Sequence, residues 1–234
     1  MTVLLTRPRP DSERIAAKLE ALGIETLIWP LSKIVGLSDK VDLPGDVEGV
    51  LFTSANAVRA FAEICPRRDL PAFCVGGRTA QTAQDAGFTD LCNANGHAAD
   101  LRDLVAGSHI RHLFYPRGRE TAVDLAADLR ALGKMVSEAM LYGSDPAGPP
   151  ESSVQRALQN GKIRALTVWS QHNAQILAEH LRDHRDWKIS DTDVISISES
   201  AAVPLLESGF RRILVAARPN AAAMIASISA ALRQ

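Results

Sequence analysis

The segment Asp11–Gly23, DSERIAAKLEALG, closes with LEALG, and LRALG returns at Leu129–Gly133. The correspondence is longer than these letters. At an offset of 110 residues Arg7 falls on Arg117, Ile15, Leu19 and Leu22 fall on Leu125, Leu129 and Leu132, and Gly23 falls on Gly133. Apolar residues at i, i+4 and i+7 mark one face of a helix. The glycine is a stop signal, and Asp11 and Ser12 are the expected caps at the helix start.

Two further matches extend the repeat. At an offset of 116, LFTSANAVRAF (Leu51–Phe61) falls on TVWSQHNAQIL (Thr167–Leu177), which sets Ser54 on Ser170. At an offset of 122, VGGRTA (Val75–Ala80) falls on ISESAA (Ile197–Ala202), and Gly87-Phe88 on Gly209-Phe210. Three matches in similar register point to a duplication. The first unit of one copy stands at the N-terminus, its other units lie after residue 150, and the second copy sits between. One domain is therefore expected to be discontinuous, 1–33 plus 146–234, with the other at 35–141. The chain then crosses between domains near Pro30–Gly36 and near Ala139–Pro150. The second crossing holds Asp145-Pro-Ala-Gly-Pro-Pro, a linker composition. Two crossing strands side by side would form a hinge ladder.

Short apolar runs alternate with amphipathic stretches along the whole chain. Strands are expected at Val3–Thr6, Glu25–Trp29, Gly49–Thr53, Ala72–Val75, Thr89–Cys92, Arg111–Tyr115, Met135–Met140, Ala165–Trp169, Asp193–Ile197 and Arg212–Ala216. This alternation argues for an α/β fold with parallel sheets flanked by helices. Ten strands suit two similar domains, each with a five-stranded sheet.

Composition narrows the function. A 46% hydrophobic content is that of a globular chain, and with aromatics at 5% aliphatic and alanine packing is expected to carry the core. A net charge of −1 gives no support to a nucleic-acid partner. No apolar run approaches the roughly 18–20 residues of a membrane-spanning helix. MTVLLTRPRP suits a first strand rather than a signal peptide, so a cytoplasmic location is expected. Cys65, Cys74 and Cys92 form no C-x-x-C pair and read as buried thiols of a reducing compartment. His109 with His112, and His180 with His184, lack nearby cysteines and an H-E-x-x-H pattern, so they read as exposed structural histidines and no metal is expected.

Ligands of open parallel sheets bind beyond the carboxyl ends of the strands. Thr6-Arg7-Pro8-Arg9 and Pro116-Arg117-Gly118-Arg119 occupy two such exits. Arg7 and Arg117 there suit carboxylates, unless they are ordinary surface arginines. Thr53-Ser54-Ala55-Asn56 and Ser170-Gln171-His172-Asn173 occupy two more. Ser54 and Ser170 are natural helix caps, and the amides of those helix starts can receive an anion. Gly76 and its neighbours Gly77, Arg78 and Thr79 make a glycine-rich turn of the same kind. No Walker A or G-x-G-x-x-G pattern is present, so nucleotide is not expected. Proton-transfer groups are few; Tyr142, at the second crossing, is the exception.

Together LLTRP (Leu4–Pro8), FTSANAV (Phe52–Val58), VGGRTAQTAQDAGF (Val75–Phe88), YPRGRETAVDLAADLRALG (Tyr115–Gly133), MLYGSDP (Met140–Pro146), ISESAAVPLLESGF (Ile197–Phe210) and RPNAAAMIASI (Arg218–Ile228) resemble the uroporphyrinogen-III synthases, in order and over nearly the whole chain. The resemblance implies a cofactor-free lyase of haem biosynthesis. Its substrate would be hydroxymethylbilane, closed with loss of water and inversion of ring D through a spiro intermediate, in a cleft between two α/β domains. It implies a catalytic role for Tyr142. It also implies substrate-binding roles for Thr79, Ser54 and Ser170. Around these, Arg7, Asn56, Gly76, Arg78, Arg117, Gly118, His172, Ser198 and Ser200 complete the expected binding set. Many members carry Gly-x-Thr where this chain has Ser198-Glu199-Ser200, and Glu199 is expected to point outward. A monomer is the default, and a transient contact with the preceding pathway enzyme is the protein partner left open. The rival readings are a non-catalytic two-domain small-molecule binder or sensor and a pair of flavodoxin-like interaction modules.

Overall fold

The computed structural model describes residues 1–94, 96–120 and 123–233. In chain order the elements are β1 (Thr2–Leu5), α1 (Arg9–Glu20), β2 (Glu25–Ile28), β3 (Ser32–Gly36), β4 (Gly49–Phe52), α2 (Ala55–Ile64) and β5 (Ala72–Cys74). Next come α3 (Gly77–Asp85), β6 (Leu91–Asn93), α4 (Ala98–Ala106), β7 (His112–Gly118), α5 (Leu125–Ala131), β8 (Met135–Pro146) and α6 (Ser152–Gln159). The chain closes with β9 (Ile163–Val168), α7 (Gln171–Asp183), β10 (Asp193–Ser196), α8 (Glu199–Ala202), β11 (Arg212–Val215) and α9 (Ala221–Ala231). Two compact units result: unit 1 is Met1–Lys33 with Asp145–Gln234, and unit 2 is Ile34–Ser144. The strands β3 and β8 carry the chain across these bounds.

Unit 1 has the strand order β11-β10-β9-β1-β2, and every neighbouring pair is parallel. The second sheet has the order β3-β8-β7-β4-β5-β6, parallel from β8 to β6. It holds six strands where five are expected, because the crossing segment Ser32–Gly36 is itself extended and lies along β8. The same extension makes β8 twelve residues long and draws Asp145 and Pro146, expected in a linker, into a strand.

The repeat is visible in individual Cα partners. Leu4 stands opposite Leu27 on one side and Leu166 on the other. Phe114, its mate at offset 110, stands opposite Ser137 and Val50, the mates of those two residues. Ile195 pairs with Thr167 and Leu214, and its mate Phe73 pairs with Leu51 and Cys92. A one-residue slip would turn a strand's side chains to the wrong face, so agreement at this level fixes the same framework in both units. In each, strand order reverses at one place, between β1 and β9 and between β7 and β4.

The helices cover both faces of each sheet. Leu4, Leu166 and Val194 pack with Val154 of α6 and Leu177 of α7, while Val3, Leu5 and Ile195 pack with Leu19 of α1 and Ile228 of α9. In unit 2, Phe52 and Phe114 join Phe61 of α2 and Ala83 of α3; Leu51 and Leu113 join Leu101 of α4 and Leu129 of α5. Aromatic residues are few but concentrated: Phe52 lies 5.8 Å from Phe61 and 5.4 Å from Phe88, and Phe61 lies 5.8 Å from Phe114, ring centre to ring centre. The core of unit 2 is therefore more aromatic than bulk composition implies.

Three local readings are corrected. Helix α1 begins before Asp11, with Pro8 at its cap position and Pro10 in the first turn, where a missing amide costs nothing. Asp11 is thereby carried into the helix, where it pairs with Arg7 and Arg14. His112 is buried, with its Nε2 2.8 Å from Ser137 Oγ, and His180 and His184 are half-buried against Trp29 and Trp187, so of the four only His109 is an exposed histidine. Cys92 is partly exposed; Cys65 and Cys74 are buried.

Candidate functional site

Strands that run parallel end on one side of a sheet, and the helices that follow them begin there. In unit 2, β4 leads through Thr53 to Ser54, whose Oγ accepts the amide of Ala57 at 3.0 Å and caps α2. The same oxygen lies 2.8 Å from the phenol oxygen of Tyr142. Tyr142 comes there through a break in register. Arg117 pairs with Met140, but Gly118 pairs with Tyr142, so Leu141 is an extra residue in β8. Successive residues of a regular strand face opposite sides. The bulge instead turns both Leu141 and Tyr142 toward the phenylalanine core on the α2 side.

Burial is the main cause that raises the Tyr142 phenol above its ordinary value of 10.0, with the Ser54 hydrogen bond acting the other way. Tyr115 is raised as well, again chiefly by burial, and its oxygen is 3.3 Å from Thr53 Oγ1. Both phenols keep their protons at neutral pH. Nearby, Gly76 caps α3 with extended backbone, and a Cβ added to it would stand 3.3 Å from the Cα of Gly96. Thr79 is buried in the first turn of α3, whereas Gly77 and Arg78 are exposed. Asn56 Oδ1 accepts from Arg59 at 2.8 Å.

Arg117 takes a different place from Tyr142. Its Nε meets Glu138 Oε1 at 3.0 Å, and Glu138 also holds Arg130 at 2.7 Å. Alternation along β7 sets Arg117 on the side of Leu113 and Tyr115, with the α4–α5 core, and Gly118 on the side of Tyr142.

In unit 1, Ser170 caps α7 by accepting the amide of Asn173 at 3.1 Å. Arg7, from the neighbouring exit, lies 4.8 Å over the ring of Trp169 and pairs with the buried Asp11 at 2.6 Å. Ser198 caps α8 through the amide of Ala201 at 3.3 Å, and its Oγ is 3.0 Å from that of Ser200. His172 and Glu199 are exposed residues of the opening turns of α7 and α8. A glutamate in that position favours the positive end of a helix.

Each unit thus gathers hydroxyls, helix amides and an arginine or a phenol at the point where its strand order reverses. Among the described residues no group of three or more His, Cys, Asp or Glu side chains is arranged to hold a metal ion. No helix among them is long and apolar enough to cross a membrane. Sequence reasoning missed Glu138, Trp169 and Tyr115 as part of these surroundings and read Asp11 only as a cap. Trp169 was findable, since at offset 116 it is the mate of Thr53 in the same strand exit.

The family model described as uroporphyrinogen-III synthase HemD matches residues 13–226. A uroporphyrinogen-III synthetase from Helicobacter pylori is similar in structure, with a TM-score of 0.62, 20% identity and 99% of each chain covered. A mutant uroporphyrinogen III synthase from the extremely thermophilic bacterium Thermus thermophilus is similar with a TM-score of 0.52 and 18% identity, over 100% of this chain and 99% of that one. No curated protein matches the chain.

Proposed function

Because the chain belongs to the uroporphyrinogen-III synthase family, lyases of haem biosynthesis that act on hydroxymethylbilane, we propose that Tyr142 is the acid that starts its ring closure. The observation that carries this reading is the Tyr142 phenol, kept neutral by burial and held 2.8 Å from Ser54 Oγ at the start of a helix. A neutral phenol has a proton to give to the terminal hydroxyl of the bilane. That hydroxyl leaves as water, and the methylene carbon it leaves becomes an azafulvenium cation. Ring D attacks this carbon through its already substituted α-position, which gives a spiro intermediate. Breaking the older bond to that position frees a second azafulvenium carbon on ring C. The unsubstituted α-carbon of ring D then closes on it and sheds its hydrogen, which restores the phenol. One water is lost and ring D is inverted.

The rest of the task is positioning. The substrate is a flexible polycarboxylate, and the helix starts at Ser54, Gly76, Ser170 and Ser198 offer amides, the last two also hydroxyls, to carboxylates without a cation at each place. Arg7, Asn56, Arg78, Thr79, His172 and Ser200 complete this set. Arg117 we place outside it, because alternation along β7 sets it on the side of Leu113 and Tyr115, away from the face that Gly118 shares with Tyr142. We take 1–33 with 146–234, and 35–141, as the two domains, and β3 with β8 as the hinge ladder joining two similar sheets. A cytoplasmic monomer working without a cofactor is the form this reading describes. The test is Tyr142→Phe. It should lower kcat about 100-fold with KM little changed, and full turnover in this variant would remove Tyr142 from the chemistry.

A further inference from the structure

Three features meet at the phenol of Tyr142. The first is the extra residue Leu141, which breaks the alternation of β8 and sets Tyr142 directly opposite Gly118. The second is Gly118 itself. A Cβ built there would lie 3.0 Å from Cζ of Tyr142 and 3.1 Å from its phenol oxygen. Gly118 is not one of the glycines with left-handed backbone, so its conformation is open to any residue. A side chain there would press on the aromatic ring, which would have to shift by a few tenths of an ångström. The third is Ser54. One lone pair of its oxygen takes the amide of Ala57, which leaves its proton and second lone pair for the phenol. The backbone beside the ring is tied as well, since the amide of Arg119 donates to the carbonyl of Tyr142 at 2.8 Å.

We propose that Gly118 and Ser54 are positioning residues of the reaction: Gly118 leaves room for the Tyr142 ring opposite the bulge, and Ser54 holds its phenol oxygen at the start of α2. This rests on the reading of Tyr142 as the acid. When the phenol gives its proton to the departing hydroxyl, the Ser54 hydroxyl donates to the phenolate oxygen and limits the charge that develops there. Ser54 keeps its own proton, and the phenolate recovers one from ring D at closure. Neither residue touches reacting atoms. A glycine whose only service is to admit a ring, and a cap whose oxygen has a second partner, would both pass in a sequence for ordinary turn residues.

Tyrosinate absorbance provides a test that does not depend on turnover. The chain has 2 tyrosines, Tyr115 and Tyr142, so subtracting the alkaline titration of Tyr142→Phe from that of the unaltered chain isolates Tyr142. The same subtraction is repeated in Ser54→Ala, Ser54→Thr and Gly118→Ala, with folding checked by circular dichroism. In Ser54→Ala the Tyr142 midpoint should rise, because a hydrogen bond that favours the phenolate is gone, and kcat should fall about fivefold at unchanged KM. Ser54→Thr keeps the hydroxyl and should restore both. In Gly118→Ala the displaced ring should titrate at lower pH, and kcat should fall about tenfold or more. Adding Gly118→Ala to Tyr142→Phe should then cost no further turnover. Should Gly118→Ala fail to fold, the two Ser54 variants decide the matter alone. Unmoved midpoints beside a crippled Tyr142→Phe would overturn this inference and leave the acid role standing. Full turnover in Tyr142→Phe would overturn both.

Discussion

Units 1 and 2 share a framework down to the opposing Cα atoms, yet they hold different chemistry at matching places. Ser32 and Tyr142 are mates at offset 110, the first opening β3 and the second lying within β8. Ser32 donates its hydroxyl to Asn173 Oδ1 at 3.1 Å and is buried, whereas Tyr142 puts a phenol beside the cap of α2. Trp169 and Thr53 are mates too: one lies under the Arg7 guanidinium, the other meets the Tyr115 hydroxyl. Register is a backbone property, set by which faces must be buried. The side chains at strand exits escape that constraint, so a duplicated frame carries an arginine over a tryptophan in one copy and a phenol beside a helix cap in the other.

The contrast is convenient to probe, because Trp29, Trp169 and Trp187, the 3 tryptophans, all lie in unit 1, and both tyrosines lie in unit 2. The largest difference should appear in the cores. Phe114 and Leu4 occupy the same place, but Phe114 adds a ring contact with Phe61 at 5.8 Å. Phe114→Ala should cost roughly 3–5 kcal/mol and Leu4→Ala roughly 2–5 kcal/mol, with the first at the upper part of its range. Urea unfolding followed by circular dichroism measures both, and equal losses would mean that the aromatic cluster adds nothing to the shared frame.

A smaller effect separates the two arginines. Arg7→Ala should raise KM about tenfold, as loss of one charge-assisted contact implies, while Arg117→Ala should leave KM within about twofold because that side chain lies on the face of β7 away from Tyr142. Matching rises in KM would erase the distinction drawn between the two exits. The smallest effect concerns pH. His180 is held below the ordinary histidine value of 6.5, chiefly by burial and next by His184. The folded state therefore favours the neutral ring. The stability this gives is present above 6.5 and is lost as pH falls through the lower folded value. Tryptophan emission should record a falling unfolding midpoint in unit 1 over roughly pH 7 to 5, blunted in His180→Gln. An unchanged slope in the variant would assign that acid sensitivity elsewhere.

Much of the frame was legible because its signals are periodic. LEALG and LRALG, the serines at 54 and 170, and the Gly-Phe pairs each mark the same turn of the same unit, and periodicity survives drift in individual residues. The candidate site was legible only by residue type. Ser54 and Ser170 were readable as caps because the cap role selects serine; the cap role of Ser198 comes from the structure. That Tyr142 faces Ser54 was not readable, since simple alternation puts Tyr142 on the opposite face from Leu141, and only the bulge brings both to one side. The pairing of Arg117 with Glu138 was hidden for a related reason: it joins neighbouring strands 21 residues apart in the chain, and local spacing carries no sign of it. The start of α1 was misplaced because Pro8 and Pro10 open the helix without a side-chain cap, which leaves Asp11 inside it as a partner of Arg7.

The claim on which the rest depends is that this chain directs the bilane to the inverted ring. Hydroxymethylbilane, which closes without inversion when left alone, is supplied to the purified protein, the products are oxidised, and the porphyrin isomers are separated by chromatography. The account predicts that the type III isomer dominates; type I as the main product, at the level found without protein, would contradict it.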